Sequence, residues 1–146
     1  MDPYATHLEA LVYASLMNNG DILELGCGHY STPILYSICK IQNRKLNIIA
    51  SNKDWLNQFK NYGEHQLIEN WVDFNFQGKY GMVFLDNEQL TVHRIMLIPK
   101  IMQITNVLVI HDADKMVNNP NWKNFTEQYE QIWFKKYNPH TVILHK

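Results

Sequence analysis

The feature that most constrains the fold of this chain is a series of short apolar segments, each ending in a polar residue. Met82 to Leu85 runs into Asp86, and Val107 to Ile110 runs into His111 and Asp112. Two earlier segments, "DILEL" and "LNIIA", read as further strands, and helix-length segments separate them. Continuous apolar strands of this kind are typical of a parallel sheet that is buried on both faces. The sequence therefore predicts an α/β fold with helices covering both faces of the sheet.

Helix signals surround the first two strands. Apolar residues at spacings of three and four predict an N-terminal helix over about residues 4–18. Thr32 as N-cap and Pro33 as the first helical residue predict the start of a second helix. The periodicity of residues 52–63 predicts a third helix, which Gly63 ends.

In the second half of the chain, the sequence predicts that the sheet ends in antiparallel strands instead of parallel ones. A third strand is predicted within 65–71, and a helix within 88–103 that Pro99 breaks or kinks. The segment that opens with "NPNW" predicts a last helix through Trp133. "WFKKY" and "TVILHK" then predict an antiparallel hairpin at one edge of the sheet. An exposed edge strand such as "TVILHK" can pair with another copy, so a homodimer is one expected partnership.

The length, net charge and cysteine spacing of the chain limit its possible partners and cellular location. The length of 146 residues predicts a single domain over residues 1–146. A formal charge of -1 gives no electrostatic footprint for nucleic acid, which we therefore do not expect as a partner. Cys27 and Cys39 lack CxxC spacing, which favours a reducing, cytoplasmic compartment. No apolar run approaches the roughly 20 residues that cross a bilayer, so no membrane association is expected.

The segment "ILELGCGHYSTP" places a glycine turn directly after a strand that carries Glu24 near its end. A glycine turn that opens a helix usually receives phosphate, because its free backbone N–H groups attract anions. Here an acid precedes the turn, and every loop after a predicted strand contains another acid. Ligands of open α/β sheets bind beyond the carboxyl ends of the strands. We therefore expect a cationic or zwitterionic ligand instead of a pyrophosphate.

The same residues carry a resemblance to a known family. "ILELGCGHYS" resembles the first motif of class I S-adenosylmethionine-dependent methyltransferases, and "YGMVFLDN" and "NVLVIHD" look like the fourth and fifth strands of that family. The resemblance covers the chain from Asp21 to its end. It implies a Rossmann-like three-layer sandwich, in which a mostly parallel sheet carries an antiparallel hairpin at its C-terminal edge. It also implies S-adenosylmethionine as the cofactor.

The resemblance assigns roles to residues around the glycine turn. Glu24 would face the amino acid part of the cofactor, and Gly26 and Gly28 would let the backbone approach it closely. Ser31, at the end of the same loop, joins them as a cofactor-binding residue. Asp73 would lie near the adenine.

One position departs from the family pattern. The family usually has an acid at the end of the second strand, which holds both ribose hydroxyls, but Ala50 stands there. Asn52 or Asp54 could substitute from the next turn. If neither reaches the ribose, the fold is kept while cofactor binding is weak or absent.

Asp86, His111 and Asp112 are the candidate catalytic residues, since the fourth and fifth strands of such a sheet end beside the first. A histidine next to an aspartate could act as a base with its orienting acid. Adjacent residues at a strand end point in opposite directions, so at most one of His111 and Asp112 faces the site directly. Alternatively, Asp112 and Asp114 cap their loop and His111 packs beneath it.

A metal site is the less favoured alternative. In the catechol-type branch of the family, acids after these two strands hold a divalent metal, and Asp86 and Asp112 could do so. Ala113 occupies the place of that pattern's third ligand, an asparagine. We predict no metal site, and we expect the other histidines, His7 among them, at the surface or in loops.

Two further groups have open interpretations. His140 in the "NPHT" turn either overhangs the substrate mouth or is a solvated turn residue. Trp71, Phe74 and Phe76 either stack on the adenine or belong to the core.

The sequence thus predicts a small methyltransferase for a small-molecule or side-chain acceptor. The Asn/Asp-Pro-Pro-aromatic motif of amino-directed DNA methyltransferases is missing. Two alternatives stay open: a methyltransferase-like binding or regulatory module without catalysis, suggested by Ala50, and an enzyme that cleaves the cofactor.

Overall fold

Seven strands form one sheet in this computed structural model, which describes residues 2–87 and 91–146 and omits the side chains of residues 91 and 92. The strands, in chain order, are β1 (Ile22–Leu25), β2 (Leu46–Ala50), β3 (Glu64–Leu67), β4 (Met82–Leu85), β5 (Val107–Ile110), β6 (Glu130–Phe134) and β7 (Thr141–His145). Their order across the sheet is β3-β2-β1-β4-β5-β7-β6. The first five strands are parallel, and β7 runs antiparallel to both β5 and β6.

Helices cover both faces of the sheet. They are α1 (Leu8–Ser15), α2 (Thr32–Gln42), α3 (Lys53–Asn57), α4 (Thr91–Ile101) and α5 (Pro120–Thr126), with short 3-10 helices at Pro3–Ala5 and Ala113–Lys115. The first three helices pack on one face and the last two on the other. The predicted three-layer sandwich, with its mostly parallel sheet and antiparallel edge hairpin, is confirmed. No helix within the described residues is long and apolar enough to span a bilayer.

The pleat of β1 decides where its side chains go. Leu23 and Leu25 face the layer of α4 and α5, whereas Ile22 faces the layer of α1 and α2. Glu24 lies two positions after Ile22 and so shares its face, because side chains alternate along a strand. That alternation directs Glu24 toward the start of α2.

The N-terminal half differs from the sequence prediction in the lengths of its helices. The helix predicted over 4–18 is divided into the 3-10 helix and α1, and between them the Thr6 hydroxyl donates to the Pro139 carbonyl at 2.9 Å. α2 begins at Thr32, with Ser31 as its N-cap, one residue earlier than predicted. α3 ends at Asn57 with Gln58 as its C-cap, so the prediction that Gly63 ends this helix is wrong; turns fill the segment up to Gly63, which has a φ of 62°.

In the C-terminal half, α4 continues through Pro99, so the predicted break is wrong. A proline removes one backbone donor, and the buried residues Ile98 and Ile101 hold the last turn against the sheet. α5 ends at Thr126, and Trp133 lies in β6 opposite Val142 instead of in a helix. β7 is an interior strand between β5 and β6, so "TVILHK" is not the exposed edge that we predicted.

Candidate functional site

Two adjoining cavities lie beyond the carboxyl ends of β1 and β4, where the strand order reverses. The first cavity has a volume of about 430 Å³ and the second about 280 Å³. Cys27, Trp55 and Asp86 line both. Ligands of open α/β sheets bind at this position, so the two cavities form the candidate site. The other lining residues are Tyr4, His7, Gly28, His29, Tyr30 and Ser31 in the first cavity, and Gly26, Ala50, Asn52, Asn87 and Arg94 in the second.

Glu24 points away from both cavities. Its side chain is 0% exposed and lies beneath the start of α2. The Ser31 hydroxyl donates to Oε1 at 2.5 Å, and the Thr32 hydroxyl donates to Oε2 at 2.8 Å. Burial raises the pKa of Glu24 to about 8, although the two hydroxyl hydrogen bonds act in the opposite direction. The carboxyl group is therefore mostly neutral at pH 7.

The prediction that Glu24 faces the amino acid part of the cofactor is wrong for this structure, because the pleat turns the side chain under α2. Glu24 instead holds the glycine loop. The Gly28 N–H donates to Thr32 Oγ1 at 3.0 Å, and the Thr32 hydroxyl in turn donates to Glu24. Ser31 lines the first cavity while its hydroxyl bonds to Glu24. Glu24 therefore influences the first cavity indirectly, by fixing the position of the glycine loop.

The two predicted glycines have different roles. Gly26 has a φ of 92°, and a Cβ there would overlap the Asp86 carbonyl oxygen and lie 2.6 Å from the Asn87 Cα. Its missing side chain lets the loops after β1 and β4 pack together. A Cβ on Gly28 would meet only Ser31 Oγ, at 3.4 Å, beside the first cavity. Gly28 is thus the glycine whose open side faces a ligand space.

Trp55 covers the glycine loop from α3. Its indole N–H donates to the Cys27 carbonyl at 2.7 Å. The Asn52 side chain caps α3 by accepting the Trp55 backbone N–H at 2.9 Å, and Asn52 lines the second cavity beside Ala50. Asp54 is exposed and belongs to neither wall. Of the two predicted substitutes for the ribose acid, the structure places Asn52 at the cavity.

Asp73 is not brought to the site. It is exposed, lines neither cavity, and accepts a hydrogen bond from Asn70 at 2.8 Å. The Lys100 ammonium, in the last turn of α4, donates to the Val72 carbonyl at 2.6 Å. Asp73 thus lies outside the walls of both cavities, and its place near the adenine stays a prediction.

The aromatic residues of the same segment belong to the core. Trp71 and Phe76 are buried among the residues beneath α4, and Phe74 packs against them. The alternative in which they stack on a base is therefore not supported.

Asp86 is the predicted catalytic residue that lines the cavities, and a buried cation fixes its position. Arg94 Nη1 lies 3.3 Å from Asp86 Oδ1 and 3.7 Å from Asp112 Oδ2, and Arg94 Nη2 donates to the Asn87 carbonyl. Asp112 also pairs with Lys115 at 3.1 Å. Neither His111 nor Asp112 belongs to the walls of the two cavities.

His111 packs behind Asp86. Its Nδ1 lies 3.2 Å from Asp86 Oδ2, and its Nε2 lies 3.1 Å from Thr6 Oγ1. The ring is buried, as in the alternative that places it beneath the loop. Asp114 accepts the His140 N–H at 2.8 Å, so it ties the last turn to this loop. His140 lies at the predicted edge but lines neither cavity.

His7 is the main residue that sequence reasoning misplaced. It is only 2% exposed, lines the first cavity, and packs its ring edge-on against His111, with a centroid distance of 4.7 Å. Burial, and then the neighbouring His111, lower the pKa of His7 to about 4, so its ring is neutral. The spacing of His7 with Leu11 and Ala14, on the buried face of α1, is the signal that would have found it.

Asn87 follows Asp86 in the wall of the second cavity and also escaped the sequence analysis. Its side chain is 0% exposed, and neither its amide nitrogen nor its amide oxygen has a hydrogen-bond partner within residues 2–87 and 91–146. A buried polar group without a partner costs about 1–3 kcal/mol. Asn87 therefore leaves an amide donor and an amide acceptor unpaired at the wall of the second cavity.

Comparisons with known proteins agree on the architecture. No protein-family model matches the sequence, and no curated protein matches it significantly. A ribosomal protein L11 methylase from Lactobacillus delbrueckii subsp. bulgaricus has a similar structure, with a TM-score of 0.70 at 11% identity over 98% of this chain and 79% of that chain. The O-methyltransferase TomG from Streptomyces achromogenes, solved with S-adenosylmethionine, has a TM-score of 0.64 at 17% identity over 100% and 81% of the two chains. An rRNA methylase from Streptococcus thermophilus has a TM-score of 0.62 at 13% identity over 100% and 98%.

Proposed function

We propose that this chain, which has the fold of the class I S-adenosylmethionine-dependent methyltransferases, binds S-adenosylmethionine and methylates a small molecule or a partner's side chain. The bound cofactor would supply a methyl group activated by a sulfonium. The observation that carries the proposal is the unpaired amide of Asn87 in the wall of a cavity that begins at the glycine loop.

The second cavity suits the nucleoside. An asparagine amide pairs with adenine through one donor and one acceptor, which are the two groups that Asn87 leaves free within the described part of the chain. Asn52 lies at the end of β2, where the resemblance places the ribose. The amino acid part would then lie along the loop at Gly28, whose open side faces the first cavity.

The first cavity suits the acceptor. It lies between the glycine loop and the N-terminal segment and presents Tyr4, Tyr30 and His7. Its lining combines aromatic surface with few polar groups, as is usual for a site that binds a small organic molecule. The net charge of -1 and the lack of a basic patch in the sequence disfavour a nucleic acid acceptor.

Asp86 lies where the two cavities meet, so it is the proposed catalytic residue. Its carboxylate can accept the proton of an acceptor O–H or N–H group in the first cavity. Arg94, itself held by Asp112, fixes Oδ1 of this carboxylate, and His111 lies behind Oδ2. Holding the acceptor in line with the donor accounts for much of the rate in such a transfer.

Calorimetry with S-adenosylhomocysteine tests the proposal. We expect the wild type to bind it and Asn87→Leu to bind it about 5- to 150-fold more weakly, because a bidentate amide–base pair contributes about 1–3 kcal/mol. The analogue with inosine in place of adenosine should bind the wild type more weakly, and Asn87→Leu should no longer distinguish the two nucleosides. Asn106→Leu, at an exposed asparagine outside both cavities, is the control.

The same experiment separates the alternatives. If the wild type binds neither nucleoside, the cofactor proposal fails, and Ala50 at the ribose position gives the reason. If it binds S-adenosylmethionine but yields methylthioadenosine without any acceptor, the cofactor-cleaving alternative replaces methyl transfer. Methylated product from an acceptor pool supports the proposal.

A further inference from the structure

Three side chains from distant parts of the chain converge behind the first cavity. His7 precedes α1, Asp86 follows β4 and His111 follows β5. One potential ligand atom from each residue lies within 4.8 Å of the other two. We infer that His7, Asp86 and His111 form a binding site for a divalent transition-metal ion.

The hydrogen bonds of His111 leave a lone pair directed at this cluster. The Thr6 hydroxyl lies 2.9 Å from the Pro139 carbonyl and 3.2 Å from the Pro3 carbonyl, and both of these can only accept. The single hydroxyl proton is thus used by a carbonyl, and Thr6 Oγ1 accepts from His111 Nε2–H. A neutral ring protonated on Nε2 carries its lone pair on Nδ1, which is the nitrogen beside Asp86.

The contact between His111 and Asp86 then joins two acceptors. Nδ1 and Oδ2 lie 3.2 Å apart, but the pair lacks hydrogen-bond geometry. A cation bound to both atoms explains the distance, because metal bonds of about 2.0–2.2 Å hold neighbouring ligand atoms roughly 3.0–3.4 Å apart. Asp86 Oδ1 faces Arg94, so the metal would use Oδ2 alone.

His7 supplies the independent observation. Both of its ring nitrogens are buried, and neither has a hydrogen-bond partner in the described part of the chain. A fully buried imidazole normally has at least one partner, since an unpaired polar group costs about 1–3 kcal/mol. A metal bond to one ring nitrogen would satisfy the side chain.

The ligand set selects the class of ion. Two imidazole nitrogens and one carboxylate oxygen suit Zn²⁺, Co²⁺, Mn²⁺ or Fe²⁺, whereas Mg²⁺ and Ca²⁺ prefer oxygen ligands. This set differs from the pair Asp86 and Asp112 weighed from the sequence, because Asp112 is engaged by Arg94 and Lys115. His7 and Asp86 line the first cavity, so the remaining coordination positions face the space proposed for the acceptor.

The role of the ion rests on the proposed function. An acceptor oxygen bound to the metal would lose its proton more readily and would be held at the junction of the two cavities. Metal binding itself does not depend on the cofactor and can be measured without it.

The probe is Co²⁺, titrated into chelator-treated protein and followed by its visible absorption and by calorimetry. We expect saturable binding of one equivalent in the wild type. His7→Gln and His111→Gln should each weaken it at least about 100-fold, since even the loss of a supporting partner costs about 10–100-fold. Thr6→Val, which removes such a partner from His111, should fall within that range. His93→Gln, at an exposed histidine of α4, is the matched control and should bind as the wild type does.

His7→Cys guards against variants that fail to fold. A cysteine keeps a ligand at this position, and bound Co²⁺ should then show an added sulfur-to-metal charge-transfer band. No saturable binding to the wild type, or equal binding by wild type and His7→Gln, would overturn the inference. Parallel calorimetry with S-adenosylhomocysteine separates the two proposals: cofactor binding without metal binding overturns only the metal site, and metal binding without cofactor binding overturns only the proposed function.

Discussion

Replacing Glu24 with glutamine should change how the stability of the protein depends on pH. Burial raises the pKa of Glu24 from 4.5 to about 8. Between these values the unfolded chain has lost the Glu24 proton and the folded protein still holds it, so the free energy of unfolding falls as pH rises. The stability contributed by the neutral carboxyl is complete below pH 4.5 and is lost by the time the pH has passed 8.

The titration of His7 changes the free energy of unfolding in the opposite direction and over a different pH range. Its pKa falls from 6.5 in the unfolded chain to about 4 in the folded protein. Stability from His7 is present above pH 6.5 and is lost as pH falls toward 4. The two effects oppose each other between about pH 4.5 and 6.5, so the interval from 6.5 to 8 isolates Glu24.

The expected magnitude follows from that interval. Each pH unit changes the free energy of unfolding by about 1.4 kcal/mol per proton. Between pH 6.5 and 8, the free energy of unfolding of the Glu24→Gln variant should therefore rise by roughly 2 kcal/mol relative to that of the wild type. Altered hydrogen bonds to Ser31 and Thr32 add an offset of about 1 kcal/mol each, which does not vary with pH.

Urea denaturation followed by tryptophan fluorescence at several pH values measures the difference. Glu9→Gln, at an exposed glutamate of α1, is the matched control and should stay parallel to the wild type. If the difference between Glu24→Gln and the wild type is the same at pH 6.5 and pH 8, Glu24 is already ionised in the folded protein. Burial would then not hold Glu24 in its neutral form.

Two further predictions concern the loops that build the site. Gly26→Ala should destabilise the protein by several kcal/mol in urea denaturation, because its Cβ would overlap the Asp86 carbonyl at a φ of 92°. Gly28→Ala should fold normally and bind S-adenosylhomocysteine more weakly; equal stability losses at the two positions would contradict this difference. Arg94→Met should cost about 3 kcal/mol of stability, because it leaves Asp86 and Asp112 without their shared cation. Arg94→Lys keeps the charge and should recover part of this loss, and a melting temperature equal to that of Arg94→Met would count against the ion-pair explanation.

The sheet was predictable because its signals are local. β2, β4 and β5 lie where the apolar segments predicted them, since a strand buried on both faces needs continuous apolar sequence. The helix lengths were less predictable, because tertiary contacts end them. Trp133 fits a helical spacing, yet the ladder with Val142 places it in β6.

The site was only partly predictable. Asp86, His111 and Asp112 were found because a polar residue at the end of an apolar strand is visible in the sequence. Nothing local in the sequence shows that the Asp73 side chain lies outside both cavities, because the path of its loop depends on packing. Arg94 shares a helical stripe with Ile98 and Ile101, but its two carboxylate partners come from other loops.

The sequence alone determined the parallel sheet, its two helical layers and the edge at which a ligand space opens, because periodicity and strand ends are properties of neighbouring residues. Only the tertiary structure decided that Glu24 lies under α2 and that Thr6 and His111, 105 positions apart, make contact. The burial of a polar group, and hence its protonation, depends on what packs across from it, and chain neighbours do not encode that.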